Sequence, residues 1–520
     1  MRRLSFAILL LASLTPLSVG LAGRGAPIVV GAGGDLQGAI DRARPGDEIL
    51  LEPGATYVGN FTLPPTSGSR YITIRSAADA ARFPVRGRVL PEHAQWMPTL
   101  QSPNGAPALA TMPGAHHWRL QWLAFRANSG GAGDIITLGD GSEDQRDLRT
   151  IPHSFLLDGL ILRGDPEQGQ KRGIALNSAS TIIRNSDIRG IKAVGQDSQA
   201  IGGWNGPGPY LIENNYLEAA GENVMFGGAD PAVPDLVPSD ITFRGNYVTK
   251  PLEWRGSRWT VKNLFELKSA RRVLIEANVF EHNWLAAQTG YAILFTPLNQ
   301  DGRAPWTVVS DITFRYNIVR HVASAINILG WDYQATSLQT RGIQIQHNLF
   351  YDVDGSRWGG DGRFLLIGDE PVDILVDHNT VIQTGSVMQL YGMTAGRPRV
   401  IRNLKFTNNL TLHNEYGIIG ESYGVGKPAL DAFLSGRGQE VRRNVLAGGN
   451  GELYPADNLF PAVEEFLNEF VDSDRGDYRL RPDSRFRSAA SDGTPLGAAV
   501  DLLRRRMPPG DFTGNLLRRQ

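Results

Sequence analysis

The 520-residue sequence contains no cysteine. This absence excludes disulfide bonds, a lipidated cysteine anchor and metal sites with cysteine ligands. An excess of one charge is also lacking, because 52 Lys and Arg are set against 53 Asp and Glu, for a formal net charge of −1. With no basic patch and no long run of one charge, the sequence argues against nucleic acid as a partner.

Long apolar runs are missing except at the N-terminus, where one extends from Leu4 to about Leu17. Two arginines precede this run, and three small residues suited to cleavage follow it: Arg2, Arg3, Gly20, Ala22 and Gly23. The pattern predicts a secretory signal peptide over residues 1–23, and a retained membrane anchor is the alternative. We therefore expect a monomer secreted to the medium or the periplasm, without membrane contact after cleavage.

What the sequence does contain is a column of asparagines that recurs every 29 to 39 residues. Eight of the nine positions are Asn, and the column reads Ser186, Asn215, Asn246, Asn278, Asn317, Asn348, Asn379, Asn409 and Asn444. A period in this range indicates a solenoid or a propeller. Asn tolerates the left-handed backbone of a turn, so we expect these residues in turns, with their side chains bonded along the stack.

The residues around each Asn alternate between apolar and polar. Around Asn215, for example, Ile212 and Leu217 are apolar, and Glu213 is charged. This alternation at period two predicts β-strands. The charged position changes sign from one repeat to the next over the first five repeats, as expected for strands stacked about 4.8 Å apart. The sequence therefore predicts an all-β fold, a right-handed parallel β-helix.

A solenoid also fits the length of the chain, because each coil contacts only its neighbours and no single large core is needed. We expect the β-helix and its N-terminal cap over residues 27–446, a C-terminal cap over 447–503 and a loose tail over 504–520. Residues 35–43 predict a short amphipathic helix that covers the first coil, with Asp35 capping its N-terminus.

Two segments resemble known families. The sequence DLQGAID at residues 35–41, followed by PGD at 45–47 and LEPG at 51–54, resembles the N-terminal cap of the pectin-lyase-like right-handed parallel β-helix superfamily. The Asn column is similar to the same superfamily. Many of its members cleave acidic polysaccharides, whereas others are phage spikes, adhesins or secreted proteins of other kinds, so the resemblance implies the fold and a polysaccharide partner.

The second segment is FELKS at residues 265–269, which precedes Asn278, Val279 and Phe280. It resembles the alginate lyase and chondroitinase B family, in which a catalytic lysine ends a strand before a turn of the type Asn-x-Phe. The resemblance implies that Lys268 is the catalytic lysine of a lyase that cleaves an acidic glycan by β-elimination.

The residues near Lys268 are consistent with that chemistry. β-Elimination needs a cation to neutralise the sugar carboxylate, a base for the C5 proton and a proton for the leaving oxygen. Strand alternation places Lys262, Glu266 and Lys268 on one outward face. Lys268 is the expected base, with a pKa lowered by burial or by neighbouring cations, and Lys262 or Arg272 is the expected carboxylate clamp. Glu222, one coil earlier, is expected to face this cluster.

Other interpretations stay open at this point. The cluster also fits a solvated face of surface ion pairs. Hydrolysis would need two suitably spaced carboxyl groups, and the candidates are Glu222, Asp230, Glu253, Glu266 and Glu281. A protein of another class, a non-catalytic glycan-binding or cell-envelope β-helix protein, would use the same groove without catalysis.

Further residues are candidates for binding substrate or metal. Exposed indoles suit sugar rings, so Trp254, Trp284 and Trp306, with Lys250, are predicted to bind substrate, although tryptophans also pack loops. His347 and His378 are expected to stack within the turn column rather than to bind metal. No cofactor is certain, but calcium is possible at Asp352, Asp354 and Asp361, which resemble part of a calcium loop.

Overall fold

The computed structural model describes residues 26–85, 87–434 and 438–508. It contains three long sheets, with 14, 13 and 13 strands, and the chain passes through all three once in each coil. The strands pair in parallel, except that Gly424–Val425 at the end of one sheet pairs antiparallel with Ile418–Gly420. This is the right-handed parallel β-helix expected from the sequence. The predicted signal peptide and most of the predicted loose tail lie outside the described residues. Within the described part of the chain, no helix is long and apolar enough to cross a membrane.

Each coil contributes one strand to each sheet. Sheet A consists of Ile28–Val30, Glu48–Leu51, Ile72–Ser76, His116–Gln121, His153–Asp158, Ala179–Arg184, Gly208–Glu213, Ser239–Arg244, Ala270–Glu276, Val309–Arg315, Arg341–Gln346, Val372–Asp377, Arg402–Thr407 and Glu440–Arg442. Sheet B consists of Thr56–Val58, Thr99–Gln101, Ala124–Arg126, Ile161–Arg163, Asp187–Ile191, Tyr216–Ala219, Tyr247–Thr249, Val279–Asn283, Ile318–Val322, Leu349–Val353, Thr380–Gln383, Leu410–Leu412 and Val445–Ala447. Sheet C consists of Phe61–Leu63, Leu109–Thr111, Asp134–Leu138, Arg172–Leu176, Gln199–Gly203, Val224–Phe226, Phe265–Leu267, Tyr291–Phe295, Ser324–Leu329, Leu365–Gly368, Met388–Tyr391, Ile418–Gly420 and Gly424–Val425.

The helices are short and lie outside the sheets. The α-helices are Leu36–Arg42, Gly355–Trp358, Lys427–Phe433, Val463–Leu467 and Val500–Arg506. The 3-10 helices are Ala80–Arg82, Pro91–Trp96, Ser129–Gly131, Leu148–Thr150, Leu252–Trp254, Gly451–Leu453 and Ser473–Arg475. Two antiparallel hairpins pair Met393–Thr394 with Arg397–Pro398 and Phe470–Asp472 with Asp477–Leu480.

The asparagine column forms a continuous chain of buried hydrogen bonds between sheets A and B. The Oδ1 atom of Asn278 accepts from the backbone N of Asn246 at 2.8 Å and from its Nδ2 at 3.1 Å. Nδ2 of Asn278 donates in turn to Asn317 Oδ1 and to Phe243 O, both at 3.0 Å. The same pattern continues from Asn215 to Asn444. Asn458 adds a further rung beyond Asn444, at 3.0 Å.

The left-handed residue of each turn is the one before the ladder Asn, not the Asn itself as the sequence suggested. Residues 185, 214, 245, 277, 316, 347, 378, 408 and 443 have φ between 52° and 62° at these positions. The ladder Asn turns its carboxamide inward to bond backbone atoms of the coils on either side, so the preceding residue takes up the change of direction. Residue types as different as Ala277 and His347 occupy that position.

The interior of the column is apolar and continuous. Inward side chains of all three sheets form one buried cluster along the column. Four of its phenylalanines alternate between sheets A and B with ring centroids 5.8–6.3 Å apart: Phe243, Phe280, Phe314 and Phe350. On the outer face of sheet A, alternating charges pair between coils, as in Arg244–Glu213 and Arg315–Glu276, each at 2.8 Å.

Both ends of the column are covered. Helix Leu36–Arg42 begins as predicted, with Asp35 Oδ1 accepting from Gly38 N at 2.9 Å, and its buried residues are Leu36, Ala39 and Ile40. At the far end, helix Lys427–Phe433 buries Phe433. The segment after Ala447 does more than cover that end, because it packs along the outer face of sheet B. Its apolar residues contact outward residues as far back as Val279, which present an apolar stripe.

We expect Asn278→Ala to lower the free energy of unfolding by roughly 3 kcal/mol, because it leaves a buried backbone N–H of Asn246 and the carbonyl of Phe243 without partners. Urea unfolding followed by circular dichroism measures this change. Arg244→Ala, which removes a half-exposed ion pair, is the matched control and costs about 0–1 kcal/mol. Equal losses in the two variants would contradict a structural role for the column.

Candidate active site

The candidate site lies on the outer face of sheet C, around its seventh strand, Phe265–Leu267. Strand alternation turns Phe265 and Leu267 inward, so Glu266 and Lys268 lie together on the outer face. Lys268 Nζ is 2.7 Å from Glu266 Oε1. The Glu266 side chain is fully buried, whereas that of Lys268 is 18% exposed. The Lys268 side chain is therefore partly exposed, whereas its carboxylate partner is buried.

A second pair of the same kind lies beside the first. Lys262 Nζ is 2.5 Å from Asp197 Oδ1 and 3.3 Å from Glu222 Oε1. The Glu222 side chain is fully buried, whereas that of Lys262 is 19% exposed. The structure thus brings together Lys262, Glu266, Lys268 and Glu222, four of the residues predicted from the sequence.

Glu222 of the site belongs to a row of polar side chains that lies where the strands of sheet C begin. Nε2 of Gln199 donates to Glu222 Oε2, Nε of Arg172 donates to Gln199 Oε1, and an N–H of Arg172 donates to Asp134 Oδ1, each at 2.9 Å. Asp134, Arg172 and Gln199 are directly paired in the sheet register. None of the three was predicted from the sequence. The signal in the sequence was their shared position in the coil. Each lies two residues before an isoleucine, and these isoleucines are themselves paired in the register: Ile136, Ile174 and Ile201.

Close packing holds Lys268 in place. Gly227 lies beside it in the preceding coil, with φ of 89°, and a Cβ there would come within 3.0 Å of Lys268 Cβ. Glu266 is flanked in the register by Met225 and Leu294, whose side chains are also largely buried. The carboxylate is therefore enclosed by apolar groups on both sides, with the lysine as its closest charged partner.

The electrostatics differ from the sequence-based expectation in one respect. Burial disfavours the charged form of Lys268, but attraction to Glu266 and Glu222 outweighs it and raises the pKa of Lys268. The pKa of Lys262 is raised for the same reason, since Glu222 and Asp197 outweigh its burial. Both lysines are therefore ammonium groups in the free protein, whereas the proposed base was expected to have a lowered pKa.

Glu222 has the opposite property. Burial, followed by repulsion from Glu266 and Asp197, raises the pKa of Glu222 to about 6. Lys262 and the hydrogen bond from Gln199 act against this rise. Glu222 is therefore a carboxyl group that exchanges its proton near neutral pH.

Three oxygen atoms of the site fit the preference of calcium for oxygen ligands. Glu222 Oε1, Asn263 Oδ1 and Glu266 Oε1 are buried and lack a hydrogen-bond donor of good geometry. The two carboxylate oxygens nevertheless face Lys262 and Lys268, whose ammonium groups supply positive charge there. The residues therefore fit a cation only if these lysines move aside.

Several predicted site residues lie elsewhere or are inaccessible. Lys250 was expected to bind substrate, but it is fully buried, and its Nζ donates to the carbonyls of Ala219, Ala220 and Gly221 at 2.7–2.9 Å. Burial places its pKa well below the usual range, and Glu222 opposes this shift. The lysine therefore secures the coil turn and is not available to substrate.

The predicted tryptophans do not form an exposed platform. Trp254 and Trp284 are 6% and 3% exposed and pack together with Trp358 in a cluster outside the column. Trp306 donates its Nε1–H to Leu236 O at 3.0 Å and so holds a neighbouring loop. Their faces are used for packing between loops, which is the alternative given by the sequence.

Arg272 is also separated from the cluster. It lies within strand Ala270–Glu276 of sheet A, where a left-handed backbone (φ 54°) turns its side chain outward. There it pairs with Asp240 at 2.7 Å and is half exposed. Lys262, not Arg272, is therefore placed to serve as a carboxylate clamp.

The remaining predicted carboxylates, including those of the possible calcium loop, interact with other residues. Asp230 accepts from the backbone N of Arg303, Glu253 is exposed on the 3-10 helix Leu252–Trp254, and Glu281 lies on sheet B. Among the predicted acids, Glu222 and Glu266 therefore share the site. Asp354 caps helix Gly355–Trp358, and Asp361 pairs with Arg363 at 2.9 Å. These carboxylates do not converge, so residues 352–361 do not form a calcium loop. His347 and His378 stack with centroids 4.9 Å apart, as expected.

Comparison with known proteins shows the fold. Neither protein-family models nor curated protein sequences match the chain. Among solved structures, a PL6 family alginate lyase, AlyGC, aligns with 91% of this chain and 58% of its own, at 15% identity and a TM-score of 0.55. This chain therefore spans somewhat more than half of that enzyme. At this identity the likeness establishes the parallel β-helix fold.

Two further structures align over most of the chain. A mannuronic acid specific family 6 polysaccharide lyase from human gut microbiota covers 82% of this chain and 90% of its own, at 11% identity and a TM-score of 0.46. The catalytic unit of a GH87 alpha-1,3-glucanase from Streptomyces thermodiastaticus strain HF3-3 covers 80% of this chain and 69% of its own, at 16% identity and a TM-score of 0.48.

The raised pKa of Glu222 gives a testable pH dependence. Between its usual value of 4.5 and about 6, the folded chain binds this proton more tightly than the unfolded chain, so stability falls as pH rises through this range. The difference amounts to about 2 kcal/mol. Relative to Glu222→Gln, the wild type should lose this amount between pH 4 and pH 7 in urea unfolding. If the difference in free energy of unfolding between the two proteins does not change with pH, the raised pKa of Glu222 is contradicted.

Proposed function

We propose that this protein is a secreted polysaccharide-active enzyme that cleaves an acidic glycan by β-elimination, with Lys268 as its catalytic residue. The observation that carries the proposal is the pair of partly exposed lysine side chains, Lys262 and Lys268, each paired with a buried carboxylate, Glu222 or Glu266. Likeness in fold to an alginate lyase is compatible with this function but does not establish it.

The charge arrangement supports an anionic substrate. Both lysines are protonated, and each pairs with a buried carboxylate, Lys262 with Glu222 and Lys268 with Glu266. Lys262 also pairs with Asp197, whose side chain is 40% exposed. A uronic acid carboxylate arriving from the solvent side would meet the ammonium groups first. Lys262 would hold this carboxylate and withdraw charge from the adjacent C5–H bond, which makes that proton more acidic.

Lys268 must lose its proton before it can act as a base, and Glu266 is the acceptor at hand. When a bound sugar excludes water from the site, desolvation favours the neutral forms of the pair, so the proton passes over 2.7 Å from Lys268 to Glu266. The free amine then takes the C5 proton as the electrons of the C5–H bond form the C4–C5 double bond and the C4–O bond breaks.

The same lysine completes the reaction. The adjacent strand, Tyr291–Phe295, carries no arginine that could act as a separate acid. The ammonium group of Lys268 therefore donates a proton to the leaving oxygen, and Glu266 returns its proton to the lysine. The products are an unsaturated sugar end and a new reducing end, and the original ion pair is restored.

Replacing Lys268 by Met should reduce kcat/KM by about 10²- to 10⁴-fold, because the proton carrier is lost. Purified protein is mixed with alginate, pectate and glycosaminoglycans, and the absorbance of new unsaturated ends is followed at several pH values. The matched control is Arg272→Met, which removes a cation from sheet A and leaves turnover unchanged. Thermal melts of both variants verify folding.

The assay also separates the alternatives. If the wild type gives no unsaturated ends on any of these substrates, the lyase proposal is wrong. New reducing ends without unsaturation would then indicate hydrolysis, and binding without turnover would indicate a glycan-binding protein. If turnover exists but survives Lys268→Met, Lys268 is not the catalytic residue.

Lys262 should affect substrate binding more than the chemical step. Loss of one charged contact to the substrate carboxylate costs about 1.5–3 kcal/mol, so Lys262→Met should raise KM by roughly 10- to 100-fold. Steady-state kinetics on the active polymer provide this comparison. A variant with unchanged KM and reduced kcat would instead place Lys262 in the proton transfer.

A further inference from the structure

Three successive coils share an irregularity on the outer face of sheet B. His282, His321 and Asp352 have left-handed backbones, with φ of 62°, 55° and 49°. The register pairs Asn283 with Val322 and Val322 with Val353, so these three residues lie in one row. In a regular strand, neighbouring side chains point to opposite faces, but a left-handed residue allows two in succession to point outward.

As a result, the three coils together present six outward side chains on sheet B, where regular strands would present three. They are Glu281 and His282, Arg320 and His321, and Tyr351 and Asp352. The His282 and His321 rings stack with centroids 5.4 Å apart at 20°. The cluster is separate from the candidate active site, which lies on sheet C, and it has no part in the proposed elimination.

Donor atoms converge within this cluster. One carboxylate oxygen of Glu281, one ring nitrogen of His282 and one ring nitrogen of His321 all lie within 4.8 Å of one another. Among the described residues, this is the one group of three His, Cys, Asp or Glu side chains found to converge so closely. With zinc bonds of 2.0–2.2 Å, tetrahedral ligand atoms lie roughly 3.4 Å apart. Small side-chain rotations would therefore complete the site.

The surrounding residues hold these donors in the manner typical of metal sites. Asp352 Oδ2 lies 2.6 Å from His321 Nδ1, so the carboxylate takes one ring nitrogen and leaves the other free. A metal-bound histidine commonly has such a carboxylate partner. Nε of Arg320 donates to Glu281 Oε2 at 2.5 Å. Oε1 accepts the O–H of Tyr247 and lies 3.8 Å from His282 Nδ1.

The two histidines of the cluster are accessible from solvent. The His282 and His321 side chains are 24% and 28% exposed, so an ion can reach them from solvent. Trp358 packs against both rings at 5.9 Å and donates its Nε1–H to Asp352 at 3.1 Å.

We propose that Glu281, His282 and His321 bind one divalent transition-metal ion of the zinc class, with Asp352 and Arg320 orienting the ligands. Two imidazoles and one carboxylate are a ligand set suited to zinc, and three protein ligands leave one position for water. Because Arg320 offsets the charge of Glu281, we expect affinity in the micromolar range. The ion would fix helix Gly355–Trp358 against sheet B.

Metal binding to the full chain tests this proposal. Protein freed of metal with a chelator is titrated with Zn²⁺ by calorimetry and with Co²⁺ by visible absorption. We expect one bound equivalent and the visible spectrum of a Co²⁺ ion with nitrogen ligands. Absence of a bound equivalent in the wild type overturns the proposal.

Variants locate the ion. His282→Asn and His321→Asn keep a residue that tolerates a left-handed backbone, and each should weaken binding by more than tenfold. Asp352→Asn should weaken it by about 10- to 100-fold through loss of the carboxylate partner. His347→Asn is the matched control, because His347 is also left-handed and stacked on another histidine. An equal loss in this control overturns the proposed site.

A measurement on the wild type guards against variants that fail to fold. Long-range ¹H–¹⁵N spectra resolve the imidazoles of the nine histidines. Zn²⁺ should shift the signals of two imidazoles strongly. One of these two signals should be absent from the spectrum of His282→Asn, and the other from that of His321→Asn. A shift confined to other histidines would place any bound ion elsewhere and contradict the assignment.

Discussion

A buried carboxamide that bonds the coil before it and the coil after it determines the geometry of this protein. Each ladder Asn accepts from one coil and donates to backbone and side chain of its neighbours, so its own carboxamide and the turn backbone groups that it bonds are paired. Asp could not replace it, because a buried carboxylate lacks the donors and would carry an unpaired charge. Apolar residues would leave the turn backbone unsatisfied. The repeated amide therefore fixes the register, and residues about thirty positions apart become neighbours.

That register produces both clusters of functional interest. On sheet C it aligns Asp134, Arg172 and Gln199 and continues the polar row toward Glu222. On sheet B it aligns His282 with His321 across a gap of 39 residues. In both cases the residues are distant in sequence, and no local motif contains them. Because the Asn column keeps successive coils in register, residues at the same position in neighbouring coils come into contact.

The same reasoning defines what the sequence could predict. The period and the alternation are visible in the sequence, so the parallel β-helix and the shared outward face of Lys262, Glu266 and Lys268 were predictable. Loops have no period, and their lengths vary from coil to coil. The burial of Trp254 and the turning of Lys250 toward backbone carbonyls depend on those loops and could not be read from alternation. Arg272 was misplaced because it was assigned by its closeness in sequence to Lys268, whereas the chain passes from sheet C into strand Ala270–Glu276 of sheet A directly after that lysine.

The energetics of Glu266 favour a functional over a structural explanation of the site. Burying a carboxylate and an ammonium group costs several kcal/mol per ion in desolvation, and apolar residues of similar volume are often at least as stable. The column already uses that solution, since Met225 and Leu294 occupy the positions on either side of Glu266 in the register. The same position also has polar neighbours, since Nδ2 of Asn263 donates to Glu266 Oε2 at 3.1 Å. Because a buried ion pair adds little to stability on general grounds, the proton exchange of the proposed reaction would account for the pair of Glu266 and Lys268 at this position.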